Sequence, residues 1–332
     1  MDTVIRLGLV AAVAAAALAA SLFFGGVALG ANDIVSALLH PRHGGEVVTI
    51  VWSLRMPRAC IAAFVGASLA VSGYLLQGML RNPLVDPFLT GVSAGSAAAV
   101  AIAVALGAAG ATLPAFGFLA GLGTALTVAA LARRGAGLDA ERLILAGVSL
   151  SALFSAIVAL VLTRLGRGSA ETILAWLAGS LAARGYPELL WALPYGSVGL
   201  AIALACVPAL NALRLGGRMA GAVGVDVARL EWWLLASATL LTASAVSLSG
   251  IVGFVGLIVP HLARRLVGTD GRLALPASAL LGVALVAGAD TVARTLMPPT
   301  EIPLGVLLAF IGVPVFLYLY LRPQGATRLW GT

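Results

Sequence analysis

The stretch Gly91-Val-Ser-Ala-Gly95 has the spacing G-x-S-x-G, in which a serine held on a sharp turn can attack an acyl carbon. That chemistry needs a strand-to-helix turn in an α/β sheet. Here the five residues open a long apolar run, and they also fit G-x-x-x-G, the spacing at which membrane helices approach closely. Helix packing is the preferred reading, with Ser93 as a nucleophile the lesser alternative. The histidines are His40, His43 and His261. His40 and His43 lie close together, but only Glu46 is near them, and a metal needs more ligands. A solvated loop is expected there. Cys60 and Cys206 sit in apolar runs and read as small buried hydrophobes. No catalytic residue and no metal site is expected.

All 20 basic residues are arginine, and lysine is absent. This excludes a P-loop, whose lysine reaches the β- and γ-phosphates, and a Schiff-base lysine. Any use of ATP must come from another chain. Asp86, Asp290 and Glu301 fall at the ends of apolar runs, so no chain of intramembrane acids suited to a proton relay can be drawn. This weakens the alternative of an ion-coupled secondary transporter. Arg55, Arg58 and Arg294 also fall at run ends. Each could snorkel to lipid phosphate; together they could form a positive rim that docks an acidic partner.

Only helices in a membrane could position these residues. Of 332 residues, 61% are hydrophobic and 10% charged, and mean hydropathy is +1.07. Soluble proteins carry about 25% charged residues, so most of this surface must face lipid. The net charge of +7 then reports topology rather than nucleic-acid binding. A membrane helix needs about 20 apolar residues. Charge-free runs of that order predict one span each in 6–33, 58–81, 142–164, 188–214, 272–294 and 301–322, and two in 86–133 with a turn near 107–114. The run 231–264 is too long for one span and too short for two full ones. Its glycine-rich part, Ser249 to His261 with Gly250, Gly253, Gly256 and Pro260, predicts a discontinuous helix facing the interior. The stretch 171–184 is too short to span and predicts a surface helix.

Ten spans put both termini on one side. Taking that side as cytoplasmic leaves 13 arginines inside, among them Arg322 and Arg328, and 7 outside, in keeping with the positive-inside rule. The first apolar run exceeds the 7–15 residues of a signal-peptide core, so it is read as a span. One transmembrane domain over 1–332 is expected, all-α, with about ten helices and membrane lipid as its surroundings.

Several short stretches, in order along nearly the whole chain, resemble the permease subunit of type II ABC importers for cobalamin, ferric siderophores and haem. They are Leu54-Arg-Met-Pro-Arg58, Gly66-Ala-Ser-Leu-Ala-Val-Ser-Gly73 with Gln77, Arg81-Asn-Pro-Leu-Val-Asp-Pro87, Gly91–Gly95, Leu145-Ala-Gly-Val148, Gly253–His261 with Arg264, Gly268–Arg272, Ala289-Asp290 with Arg294, Glu301–Gly305 and Gly312–Phe316. The resemblance implies a homodimer with a pathway along its axis, two cytoplasmic ATPase subunits holding ATP and magnesium, and an outer substrate-binding protein. It makes the bacterial-type inner membrane the expected location. Arg55, Arg58 and Arg294 match arginines that pair with acidic residues of the binding protein. Asn82, Leu84 and Leu145 match the inner gate. Arg218, Met219, Ala220, Gly221, Val223, Gly224 and Val225 match the loop that couples to the ATPase. That loop, between spans 6 and 7, has two readings that composition does not separate, a short amphipathic helix followed by a glycine turn and an ordinary loop. No cofactor is implied in this chain, and the cargo stays open among iron chelate, haem and cobalamin.

Overall fold

The computed structural model describes residues 2–42, 44–182 and 184–321; His43, Arg322 and Arg328 lie outside them. Each charge-free run contains a helix. In chain order these are α1 (Asp2–Phe23), α2 (Ala31–Leu39), α3 (Glu46–Thr49), α4 (Met56–Met79), α5 (Val92–Ala105), α6 (Leu113–Ala132) and α7 (Ala140–Leu162). There follow α8 (Arg167–Ala178), α9 (Tyr186–Leu213), α10 (Gly217–Ala222), α11 (Val227–Ser249), α12 (Val255–Val267), α13 (Gly271–Thr295) and α14 (Leu304–Leu321). Seven of the described helices, α3–α4 counting as one, are long and apolar enough to cross a membrane. The shorter α5, α12 and α14 complete the ten expected positions. Two two-residue strands, β1 (Arg133–Arg134) and β2 (Gly137–Leu138), close the turn between α6 and α7.

Gap counting missed the structure between α1 and α4. Asp33 and Glu46 interrupt the apolar runs, yet each sits in the first turn of a helix, where the macrodipole favours an acid. From α3 the chain continues through a π-helical segment, Ile50–Arg55, straight into α4, giving one helix of 34 residues. The surface helix was expected over 171–184. It begins earlier, at Arg167, and ends at Ala178, because Gly179 packs onto the Ile251 carbonyl, where a Cβ would sit 2.3 Å away.

The centre of the molecule is α4, most of whose residues are buried. It lies against α13 at Gly66 and Gly282 and against α12 at Gly73 and Gly256, backbone to backbone. Lipid offers no hydrophobic drive between helices, so close backbone approach through small residues does this work. On its third side Ser72 Oγ contacts Thr242 Oγ1 of α11 at 2.7 Å. Gly95 and Thr124 pack α5 on α6, so the Gly91–Gly95 spacing serves helix contact.

The expected discontinuity is present. Helix α11 ends at Ser249, the chain unwinds over 250–254, and α12 starts at Val255. Helices α5 and α12 hold 14 and 13 residues. At 1.5 Å per residue each covers only about 20 Å of the ~30 Å hydrocarbon layer. The loop before α5 packs on the start of α12, where the Pro87 ring fills the space a Gly256 Cβ would need.

A Cβ at position 73 would lie 2.0 Å from the Gly256 carbonyl oxygen, whereas one at Gly123 meets nothing within 4 Å. Gly73→Val should lower the thermal unfolding midpoint of the purified protein, by the equivalent of about 1–3 kcal/mol or more. Gly123→Ala should leave it unchanged. Scanning fluorimetry in detergent measures both.

Candidate docking, gating and coupling sites

At one end of the molecule three guanidiniums meet two carboxylates. Arg58, in the first turn of α4, donates from Nε to Asp290 Oδ2 at 3.0 Å and from Nη1 and Nη2 to the two Glu301 oxygens at 2.9 and 2.8 Å. Arg294, one turn on from Asp290 along α13, approaches the same carboxylate at 3.6 Å. Glu301 stands in the loop before α14, and the hydrogen bonds from Arg58 hold it below the usual carboxylate range. The remaining donors go to α1. Arg55 Nη1 reaches the Leu22 and Phe23 carbonyls at 2.7 and 3.0 Å, its Nη2 reaches Val27 O, and Arg294 Nη2 reaches Ser21 O. Ser21, Leu22 and Phe23 are among the last residues of α1, whose final carbonyls lack partners within the helix. The two arginines act as its C-cap, and their charge suits the negative pole of the helix.

All three expected docking arginines are therefore brought together, but turned inward. Arg55 and Arg294 are only 3% and 5% exposed. Neither snorkels. Arg58 keeps 13% of its side chain exposed, and Glu301, at the rim, keeps 38%.

At the other end, the α4–α5 loop carries Asn82 and Leu84. Asn82 Oδ1 accepts from the Leu84 amide at 2.9 Å, which holds the turn after Arg81, a residue with left-handed backbone (φ 49°). Leu84 is exposed. Helix α7 touches this loop at Gly147, where a Cβ would meet the Leu89 carbonyl at 1.8 Å. Leu145, also exposed, lies two residues before that contact. The expected gate residues thus lie on two elements in mutual contact.

Gln77 holds this region together, and no role was expected of it. Proline has no N–H, so Pro260 inside α12 leaves the Gly256 carbonyl without its helical partner. Gln77 Nε2 donates to that carbonyl at 3.0 Å, to Leu257 O at 3.1 Å and to Val85 O at 3.2 Å. Its Oε1 accepts from Arg264 Nη2. Arg264 and Arg214 stand 5.9 and 4.8 Å from the centroid of the Tyr74 ring, in cation–π contact. The available signal was a fully polar side chain inside an apolar span.

The loop between α9 and α11 forms α10 and then turns at Gly224 (φ +85°). Asp226 caps α11 by accepting from the Arg229 amide at 3.1 Å. Within α10, Ala220 is buried in the core, while Arg218, Met219 and Gly221 face outward together with Val223 and Gly224; Val225 is half-buried. Of the two readings the sequence leaves open here, the structure has the short helix with its glycine turn.

Residues 13–322 match the FecCD transport family. The chain belongs to that family. It is 43% identical over 272 residues to the cobalamin import system permease protein BtuC of Halobacterium salinarum, covering 81% of this chain and 73% of that one. With the hemin transport system permease protein HmuU of Yersinia pestis it shares 36% over 314 residues, 91% and 92% of the two chains. A solved inward-facing structure of a metal-chelate type ABC transporter superposes with a TM-score of 0.86, at 34% identity, over 96% of this chain and 99% of that one. A FecCD protein is the multi-pass membrane permease subunit of an ABC importer. It works with a substrate-binding partner and with an ATPase partner, to which ATP hydrolysis belongs. The Ser93 hydroxyl has no hydrogen-bond partner among the described residues, so no described base stands beside it to activate it as a nucleophile.

Three substitutions separate buried from exposed polar work in this FecCD chain. Asp290→Asn breaks a buried pair with Arg58 and Arg294 and should cost about 3–5 kcal/mol. Glu301→Gln removes a rim partner and should cost under about 1 kcal/mol. Gln77→Leu strands the Gly256 carbonyl, at about 1–3 kcal/mol. Unfolding midpoints in one detergent should rank wild type, Glu301→Gln, Gln77→Leu and Asp290→Asn in falling order.

Proposed function

We propose that two copies of this chain form the conduit of an importer that carries an iron chelate, haem or cobalamin across the inner membrane. Both termini face the cytoplasm, and the whole chain acts as one transmembrane domain. Two ATPase subunits bind ATP and magnesium on the α10 side, and a binding protein delivers cargo at the Arg58 side. The cargo class follows the named relatives, which import cobalamin, Fe(3+)-citrate and hemin.

One observation carries the reading. Helix α10 is rooted in the core by Ala220 yet presents Met219 and Val223, two large apolar side chains, to the outside. A free-standing protein gains nothing from such a knob, but a groove on a partner subunit would bury it. Closure of paired ATPases then moves α10 and, through α9 and α11, the helices behind it. Asn82, Leu84 and Leu145 form the inner gate that answers that motion by rigid-body switching between two packings. At the opposite end, an acidic residue of the binding protein competes with Glu301 for Arg58, so docking exchanges one carboxylate for another, and Arg55 and Arg294 supply the surrounding positive field. Asp290, the buried acid that a proton-coupled mechanism would use, is committed to two arginines.

Met219→Asp combined with Val223→Asp should abolish co-purification of the ATPase and reduce ATP-driven uptake in proteoliposomes at least 10-fold, with the unfolding midpoint of the chain itself unchanged. Full ATPase recovery with both aspartates in place rejects the coupling role. Active accumulation by this polypeptide alone rejects the importer reading.

A further inference from the structure

Between α5, α7 and the α4–α5 loop, beside Ile251 of the unwound stretch, a cavity of about 520 Å³ opens. That is within the range of small-molecule sites. Phe88, Leu177 and Ile251 give it apolar walls, and three serines line it: Ser93 in the first turn of α5, and Ser151 and Ser155 on α7. Ser151 is the middle residue of α7, so the cavity sits near half depth. The spacing of four places Ser151 and Ser155 on one face.

Serine and threonine in these helices usually turn back on their own backbone. Thr124 bonds Ala120 O, Ser244 bonds Leu240 O, Ser249 bonds Ala245 O, Ser278 bonds Ala274 O and Thr291 bonds Ala287 O, at 2.6–2.9 Å. Ser93, Ser151 and Ser155 make no hydrogen bond to any described residue. Ser93 is only 4% exposed, and its hydroxyl is the one buried serine or threonine hydroxyl without a partner among the described residues. In hydrocarbon an unmade hydroxyl bond is costly, and alanine, abundant in this chain, would avoid that cost. Ser151 is half-buried and Ser155 exposed, so that cost falls on Ser93. A buried unused donor with two further hydroxyls around the same cavity implies a visitor that accepts hydrogen bonds.

We propose that this cavity is a transit site, where Ser93, Ser151 and Ser155 donate hydrogen bonds to carboxylate, hydroxamate or amide oxygens on the periphery of the passing cargo. The inference rests on the importer reading and deepens it. Neutral hydroxyls suit the task. Passage requires binding favourable enough to enter and weak enough to leave, and a charged side chain at this depth would hold an anionic chelate too long.

The test uses the complete transporter in proteoliposomes, with its ATPase and binding protein, and ferric dicitrate, haem and cyanocobalamin as probes. The triple variant Ser93→Ala, Ser151→Ala, Ser155→Ala should lower uptake of the transported probe at least 10-fold. Ser151→Thr with Ser155→Thr, which keeps the hydroxyls, should retain at least half. Triple-variant uptake within twofold of wild type overturns the proposal, as does equal loss with the threonines. A second measurement needs no cargo and no uptake. With Cys60→Ala and Cys206→Ala in place, Ser93→Cys should react with a hydrophilic methanethiosulfonate during ATP turnover. A thiol that stays unreactive marks a sealed packing void and overturns the transit site. Failure of the wild-type transporter to accumulate any of the three probes counts against the importer reading instead, and the thiol reaction then decides the cavity by itself.

Discussion

A carbonyl or amide at membrane depth has no water to fall back on, so every interruption of a helix there must be repaid by a protein group. This chain interrupts itself twice at the same place. The α4–α5 loop and the unwound stretch 250–254 both reach below the surface, and Pro260 removes one more donor from the first turn of α12. Gln77 answers the part of it around Val85 and the first turn of α12. Its amide nitrogen serves Val85 from one interruption and Gly256 and Leu257 from the other, and its oxygen takes Arg264. At the far edge of the break, the Ser180 amide donates to Ser249 O at 2.8 Å. The irregular backbone is thus held by side chains and neighbouring loops instead of by a helix ladder. Such a region can rearrange by exchanging a few hydrogen bonds, which a continuous helix cannot do.

The same rule operates at the docking end, with charge in place of an amide. The last carbonyls of α1 are capped by Arg55 and Arg294 from two other helices. Burying those guanidiniums would be prohibitive alone. Asp290 lies between Arg58 and Arg294 and offsets part of the charge, and Glu301 completes the set from the surface. Three positive groups against two negative ones leave a surplus that the negative pole of α1 absorbs. Removing any buried member leaves another charge without compensation, which is why such clusters cost more to break than they contribute by forming.

Much of this was legible before any coordinates. Charge spacing found the ten span positions, because a charged residue is expensive in hydrocarbon and is therefore a reliable marker of a helix end. Glycine and proline between Ser249 and His261 marked the break, whereas at α10 composition left a short helix and an ordinary loop both open. Three things were hidden. Helices α2 and α3 carry Asp33 and Glu46 in their first turns, so a method that reads acids as boundaries discards them. The inward turn of Arg55 and Arg294 depends on α1 ending beside them, a contact between residues over 270 positions apart for Ser21 and Arg294. Gln77 is a polar residue in an apolar span, but its partners come from two other segments, and no local pattern names them.

Both hydrogen-bonded junctions are mounted on one helix. Arg58 and Gln77 lie 19 residues apart on α4, about 28 Å at 1.5 Å per residue. Between them α4 is wedged by Gly66 and Gly73 against the backbones of α13 and α12, contacts that leave no room for bending or rotation. It is a strut, so the docking end and the gate region are fixed in relation to each other along it. Helix α7 differs. Most of its surface is exposed, and it touches the α4–α5 loop closely at Gly147. The elements arranged around the strut are α7, the α4–α5 loop and the broken α11–α12 pair. Each of these borders the serine-lined cavity or the Gln77 junction, whereas α4 contributes no lining residue to the cavity.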